Sequence, residues 1–211
     1  MNIKWFGHAC FRLKDRSGTA FTDPYPFNLG YTRPKSKADI VTISHGHPNH
    51  SSLEGFTTSP YVITRPGEYE VSRIFVTVIR AYHDNKKGAT LGYNNVTLFQ
   101  FDDLSVCHLG DLGHMLSQEE VEKLGQVDVL LVPVGGGSTL NASQAAELIS
   151  LIEPTIVIPM HYKTPLYPDK LDPVDKFFKE MGTTAPESLS DLKVTRSSLP
   201  EETQIVLLNY S

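Results

Sequence analysis

The chain has little of what marks the easily assigned protein classes. Its two cysteines, Cys10 and Cys107, stand alone in 211 residues, too few for a disulfide framework and in no paired metal or redox spacing. Such sparse usage fits a reduced, cytosolic setting, with a single Cys10–Cys107 bridge left open by the sequence. No apolar run approaches the roughly 18–20 residues of a membrane span. The longest, VDVLLVPV at 127–134, has strand length and is broken by Asp128 and Pro133. The opening segment MNIKWFGHACFRLK lacks the apolar core of a signal peptide, so a soluble cytoplasmic protein is expected. A basic excess is missing too. The 19 Lys and Arg face 24 Asp and Glu, a formal charge of −5, which is not the footprint of a nucleic-acid binder. No low-complexity segment or Gly-, Ser- or Pro-rich linker divides the chain, so residues 1–211 read as a single domain. A chain of this length buries most of its unfolded surface and needs no metal staple to fold.

What the sequence does contain is a series of short β-rich runs, at 2–6, 10–14, 19–22, 39–44, 61–64, 74–79, 95–101, 104–109, 127–132, 155–160 and 203–208. Two of them, VDVLLV and TIVIPM, are nearly continuous hydrophobics, as expected of strands covered on both faces. Helices are expected between them. Ser117 followed by Glu120 forms a capping box for 117–124, with Gly125 as the stop. Asn141 with Gln144 opens a second helix, in which Ala145, Leu148, Ile149 and Ile152 make one apolar stripe before Pro154. Asp172-Pro173 predicts an N-cap and first-turn proline for a third, running to about Met181. The fold class is α/β, with more than one sheet.

The chemistry lies in where His and Asp fall against these strands. Run 39–44 leads into SHGHPNH, with His45, His47 and His50; run 74–79 leads towards His83; run 104–109 leads into Asp111; run 155–160 leads into His161. Strand C-terminal ends are where α/β sheets assemble sites. Imidazole and carboxylate together suit Zn2+ and its first-row neighbours, and the absence of a thiolate pattern argues against a closed structural zinc site. Taken singly, His83 or His161 reads more readily as a satisfied histidine and Asp111 as a turn former. It is the cluster at 45–50 that requires partners from elsewhere.

With WFGHACF, TDP, RPGEYEV, HLGD and IPMHYKT in place, the sequence resembles the metallo-β-lactamase superfamily, whose signature is His-x-His-x-Asp-His followed by a downstream His, a bridging Asp and a last His. It is similar in particular to a small branch of metal-dependent hydrolases related to ascorbate-6-phosphate lactonase. The resemblance runs from Trp5 to about Thr164. It implies a four-layer αββα sandwich with the metals at one edge of the two sheets. It also implies His45, His47 and His83 around a first metal, His50 and His161 at a second, and Asp111 bridging both. Asp23, in TDP, matches the position that steadies a first-metal histidine from behind. His8 and His108 match positions that read as supporting or structural rather than ligating. Asn49 stands where the family has Asp, a second-metal ligand that also orients or deprotonates the attacking water. Asn49 and Asp111 are the implied catalytic positions. An amide ligates only through its carbonyl and cannot act as a base, so a lopsided cradle holding close to one metal is expected.

The leading expectation is a hydrolase using metal-activated water on an ester, lactone or phosphodiester. Its cofactor would be one or two divalent ions, Zn2+ first, with Mn2+, Fe2+ or Ni2+ as alternatives. A small-molecule substrate is expected, with Lys163 as a candidate for meeting an anionic group, and neither nucleic acid nor membrane as partner. A homo-oligomer is left open. Two rivals remain: a metal-binding but catalytically weak regulatory or assembly protein, and a nuclease, which the −5 charge disfavours. Residues 165–200 match no chemistry; their helix is open to reading as a lid or an interface.

Overall fold

The computed structural model describes residues 1–167 and 170–210. Two mixed sheets face each other across one large apolar core. The first holds β1 (Asn2–Trp5), β2 (Phe11–Lys14), β3 (Thr19–Thr22), β4 (Ile40–Thr42), β5 (Tyr61–Ile63) and β12 (Leu192–Lys193), in the order β12-β1-β2-β3-β4-β5. The second holds β6 (Gly67–Val71), β7 (Ile74–Tyr82), β8 (Tyr93–Gln100), β9 (Ser105–His108), β10 (Val129–Pro133), β11 (Ile156–Met160) and β13 (Gln204–Ile205), in the order β13-β11-β10-β9-β8-β7-β6. Pairing is antiparallel along β6 to β9 and parallel from β9 through β10 and β11 to β13.

The parallel stretch needs crossovers, and the predicted helices provide them. Helix α1 (Gln118–Leu124) joins β9 to β10, and α2 (Ala142–Ile152) joins β10 to β11. Both capping boxes form as read from sequence, and all four residues of the α2 stripe are buried. With helices on one face and the first sheet on the other, β10 and β11 are buried throughout, which explains their unbroken hydrophobicity. Helix α3 (Asp175–Glu180) starts later than expected. Its N-cap is Val174, while Asp172 instead accepts an ion pair from Lys176 at 2.6 Å and a bond from the Lys163 N–H through its backbone carbonyl. The helix buries Phe177 and Phe178 and packs beside α2.

The alternation of the first sheet sends Ile3, Trp5, Phe11, Leu13, Ala20 and Ile40 inward, and Phe6, Phe21 and Val41 outward. That outer face is covered among the described residues by loop 24–38 rather than by an α-helix. Pro24, Pro26 and Pro34 exclude a helix interior there, and Tyr25 and Tyr31 supply the cover. Arg33 pins the loop, its buried guanidinium lying 4.8 Å from the Phe56 ring and donating to the carbonyls of Tyr25 and Glu54. Two strands escaped the sequence reading: β6, which carries Glu68 and Glu70 on an edge, and the two-residue β12. β7 runs three residues past the expected end, to Tyr82, and so delivers His83 directly. Cys10 and Cys107 are free and buried, and burial pushes the Cys10 thiol up to about 12. No helix among the described residues is long and apolar enough to cross a membrane.

Candidate metal centre

The C-terminal ends of β3, β4, β7, β9 and β11 meet at one edge of the sandwich, and the β1–β2 turn joins them there. They bring together Asp23, His45, His50, His83, Asp111, His161 and His8. Asp111 is the hub. Its Oδ2 lies 3.3 Å from His161 Nε2, 3.4 Å from His50 Nε2, 3.6 Å from His83 Nε2 and 4.0 Å from His45 Nε2. Asn94, on β8, holds the hub in place. Its Oδ1 accepts the Asp111 N–H at 2.8 Å and its Nδ2 donates to the Leu109 carbonyl. Gly110 permits this approach. It sits at φ +57°, and a Cβ there would come within 2.5 Å of both Ser44 and Asn94. Gly135 does the same for the last histidine, since its Cβ would meet the His161 carbonyl at 2.2 Å.

Proton bookkeeping fixes two imidazole tautomers. Asp23 is fully buried; its Oδ1 accepts the Ser44 N–H at 2.7 Å, and its Oδ2 accepts the Ser44 hydroxyl at 2.5 Å and His50 Nδ1 at 2.9 Å. The Ser44 hydroxyl has one proton, and Asp23 takes it. The remaining contact, Ser44 Oγ to His45 Nδ1 at 2.9 Å, therefore has His45 as donor. In their neutral forms His45 and His50 both carry Nδ1–H, and both turn Nε2 towards Asp111. A ligating histidine is usually fixed in this way, by a partner on its far nitrogen. Asp23 thus grips His50 directly and reaches His45 only through Ser44, so the sequence expectation of one steadied first-metal histidine becomes a relay serving two. Ser44 and Asn94 went unnoticed as site residues; their types carry no signal without the fold.

The electrostatics match. Burial alone would raise the Asp111 carboxyl, but His161 and His50 beside it outweigh that and hold it well below the usual carboxylate range. Burial, aided by His50, pushes His45 down to about 4. Burial also acts to lower His50, yet Asp111 and Asp23 leave it above its ordinary value. Several buried polar atoms have no hydrogen-bond partner among the described residues: His45 Nε2, His83 Nδ1, His161 Nδ1, Asp111 Oδ1 and both ring nitrogens of His8. Buried polar groups are rarely left so. Neutral His45 and His50 turn lone pairs towards a carboxylate oxygen, an arrangement that a cation between them would relieve, and His45, His83 and Asp111 can bring one donor atom each within 4.8 Å of the others. The donor set fits a divalent first-row metal. Backbone strain is present here as well, with His8, Asp23 and His161 at φ +54°, +37° and +51°. For non-glycine residues that conformation costs of order 1 kcal/mol or more each and tends to mark functional sites.

The other expected site residues lie less centrally. His47 is exposed on the rim, its ring 6.0 Å from that of His45 and 6.3 Å from that of His50. Asn49 donates through Nδ2 to the Tyr167 hydroxyl at 3.0 Å. His108 is structural: its Nε2 bonds the Ala9 carbonyl at 2.9 Å and its Nδ1 accepts the Gly110 N–H at 3.2 Å. Lys163 is exposed, and no side-chain contact ties it to the cluster among the described residues. Asp84, next to His83, orders the loop that follows by accepting backbone N–H groups of Lys86, Gly88, Thr90 and Leu91.

Comparison with known proteins agrees with this geometry. A family model described as a β-lactamase superfamily domain matches residues 2–161. A UPF0173 protein of Pyrococcus abyssi is 31% identical over 187 residues, covering 78% of this chain and 84% of its own. A protein of Thermoplasma acidophilum named as a UPF0173 metal-dependent hydrolase is 28% identical over 191 residues, with the same coverage of 78% and 84%. The crystal structure of a Thermotoga maritima protein, provisionally named as a Zn-dependent hydrolase of the metallo-β-lactamase superfamily, superposes with a TM-score of 0.83. It is 36% identical, and the match covers 100% of this chain and 99% of that one.

Proposed function

The chain belongs to the metallo-β-lactamase superfamily, and from that membership we propose that it is a metal-dependent hydrolase of a small polar ester, lactone or phosphodiester. The observation that carries the reading is the convergence of four imidazole Nε2 atoms on Asp111 Oδ2, at 3.3 to 4.0 Å. His45, His83 and Asp111 would hold one ion, and His50, His161 and the shared Asp111 a second, with His47 at the rim of the first. A divalent cation bound there supplies a Lewis acid and lowers the pKa of water. The chain's own residues do the rest. Asp23 and Ser44 keep the His45 and His50 lone pairs directed inward. Asp111, ionised and with Oδ1 unpartnered, is the carboxylate in position to hydrogen-bond a water or a substrate hydroxyl.

The loop that follows His83 borders a cavity of about 400 Å3 lined by polar groups, among them Asp84, Lys86, Thr90, Ser138 and Gln144, and no side chain of the cluster lines it. The test is turnover of bis-p-nitrophenyl phosphate, p-nitrophenyl acetate and a lactone panel by protein reconstituted with Zn2+ or Mn2+. Metal-dependent turnover, abolished in Asp111→Ala, is expected. The bond from Asn49 to Tyr167 favours a second reading, a metal-binding protein of weak activity, because the family's base position then holds a neutral amide engaged elsewhere. Fully metallated protein inert on every substrate class would select that reading.

A further inference from the structure

Two buried histidines and the half-buried His114 can be compared by what their ring nitrogens touch. His108 has both satisfied, by Ala9 and Gly110. So does His114, which donates from Nδ1 to the Met115 carbonyl at 2.8 Å and accepts the Tyr82 N–H on Nε2 at 3.1 Å. His8 is 3% exposed and has neither nitrogen partnered. Nothing about the His8 backbone is loose. It is held in the left-handed region at φ +54°, and its carbonyl accepts the Trp5 indole N–H at 3.1 Å and the His161 N–H at 3.2 Å. The fold thus holds in a strained turn a ring that makes no hydrogen bond among the described residues.

That ring lies against two expected ligands, with centroids 4.4 Å from His50 and 4.3 Å from His161. His8, His50 and His161 can each offer one nitrogen such that all three lie within 4.8 Å of one another. Metal–imidazole bonds of about 2.0–2.1 Å place tetrahedral donors about 3.4 Å apart, so small ring rotations would close the set. The neighbouring Asn49 amide is bonded to Tyr167, whose ring packs on His8 at 4.8 Å.

We propose that His8 is the third imidazole ligand of a second metal site formed with His50 and His161, supplying the donor that Asn49 does not. This rests on the reading of the cradle as metal-binding. Three neutral nitrogens and a share of Asp111 make a softer, less charged site than one containing a second carboxylate. It therefore prefers Zn2+, Co2+ or Ni2+ to Mg2+ or Mn2+.

The experiment is a Co2+ and Zn2+ titration of the chelator-treated full chain against a competing chromophoric chelator. It is combined with long-range 1H–15N spectra of the histidine rings. Two equivalents are expected, and the second is counted as the one during which a His8 ring nitrogen moves to its metal-bound shift. His8→Phe keeps the aromatic packing and removes the donor. It should leave the first equivalent unchanged and weaken the second by about a hundredfold or more, and adding Asn49→Asp to it should restore the second. A single equivalent at saturation, a silent His8 ring, or an unaffected second equivalent in His8→Phe each overturns the proposal. The ring spectra of the unmodified protein decide the matter even where His8→Phe fails to fold. A wild-type protein that binds no metal would sink the hydrolase reading as well, whereas two metals with a silent His8 would remove only this inference.

Discussion

Asp23→Asn separates the relay behind the metal ligands from the ligands themselves. The amide has the outline of the carboxylate, so packing of the fully buried residue is unchanged. The hydrogen bonding is not. If the new NH2 replaces Oδ2, it faces Ser44 Oγ and His50 Nδ1, which lie 2.5 and 2.9 Å from that oxygen in the native chain. His50 must then accept at Nδ1 and carry its proton on Nε2, the atom 3.4 Å from Asp111 Oδ2. Its inward lone pair is lost. If the NH2 replaces Oδ1 instead, two donors confront each other at the Ser44 N–H, now 2.7 Å away. Either way at least one hydrogen bond to a charged group goes, worth about 1.5–3 kcal/mol. The partners behind metal ligands typically govern about 10–100-fold in affinity. The expected outcome is that loss of Zn2+ affinity in chelator competition, together with a proton on His50 Nε2 in 15N spectra. Unchanged affinity with His50 still protonated at Nδ1 would refute the reasoning.

Four further outcomes are expected. Chelator treatment, or the double change His45→Ala with His47→Ala, should leave native-like circular dichroism and cooperative unfolding, because the core between the sheets stands without a metal; loss of cooperativity on chelation alone would contradict this. Asn49→Asp puts a carboxylate beside the second site, and opposite unit charges about 4 Å apart attract by about 4 kcal/mol at an effective dielectric near 20. Even a fraction of that should raise second-metal affinity at least about tenfold, and chelator competition showing the same second-metal affinity in Asn49→Asp as in the unmodified protein would show that the missing carboxylate does not limit that site. Asp84 is held at about 2 by the N–H groups of Leu91, Thr90, Lys86 and Gly88. Its folded pKa is depressed, so its support of loop 84–92 is complete above the ordinary carboxylate value and lost as pH falls towards 2. Hydrogen exchange in that loop should therefore accelerate between about pH 4 and pH 2, and a flat profile would argue against it. Leu131→Ala, at the fully buried centre of β10, should cost about 2–5 kcal/mol in urea unfolding, while a cost under about 1 kcal/mol would mean that the core there is not packed as described.

Much of this molecule was legible in one dimension. Its hydrophobic runs at 127–132 and 155–160 are the buried parallel strands β10 and β11, and the Ser117–Glu120 and Asn141–Gln144 pairs cap α1 and α2. These features depend on neighbours within a few residues, so the chain states them locally. The ordering of His and Asp at strand ends was legible for the same reason, since a strand's exit is fixed by where its periodicity stops. The edge strand β6 was hidden because pairing on one side only leaves Glu68 and Glu70 free to be polar. Loop 24–38 was hidden as a covering layer because an irregular segment has no period to read.

What only the tertiary structure decided is which side chain answers which. His8 and His161 are adjacent across 153 positions of chain, Asp23 meets His50 across 27, and Asn49 turns to Tyr167 rather than into the cluster. His47, two residues from His45 in sequence, ends on the rim. A histidine's role is set by what lies within about 3 Å of each ring nitrogen, and those partners arrive from separate strands once the sheets have stacked. The sequence by itself determined that a metal-binding type of cluster would form at one edge of an α/β sandwich. The packing of the β1–β2 turn against the end of β11 decided that His8 would stand inside it.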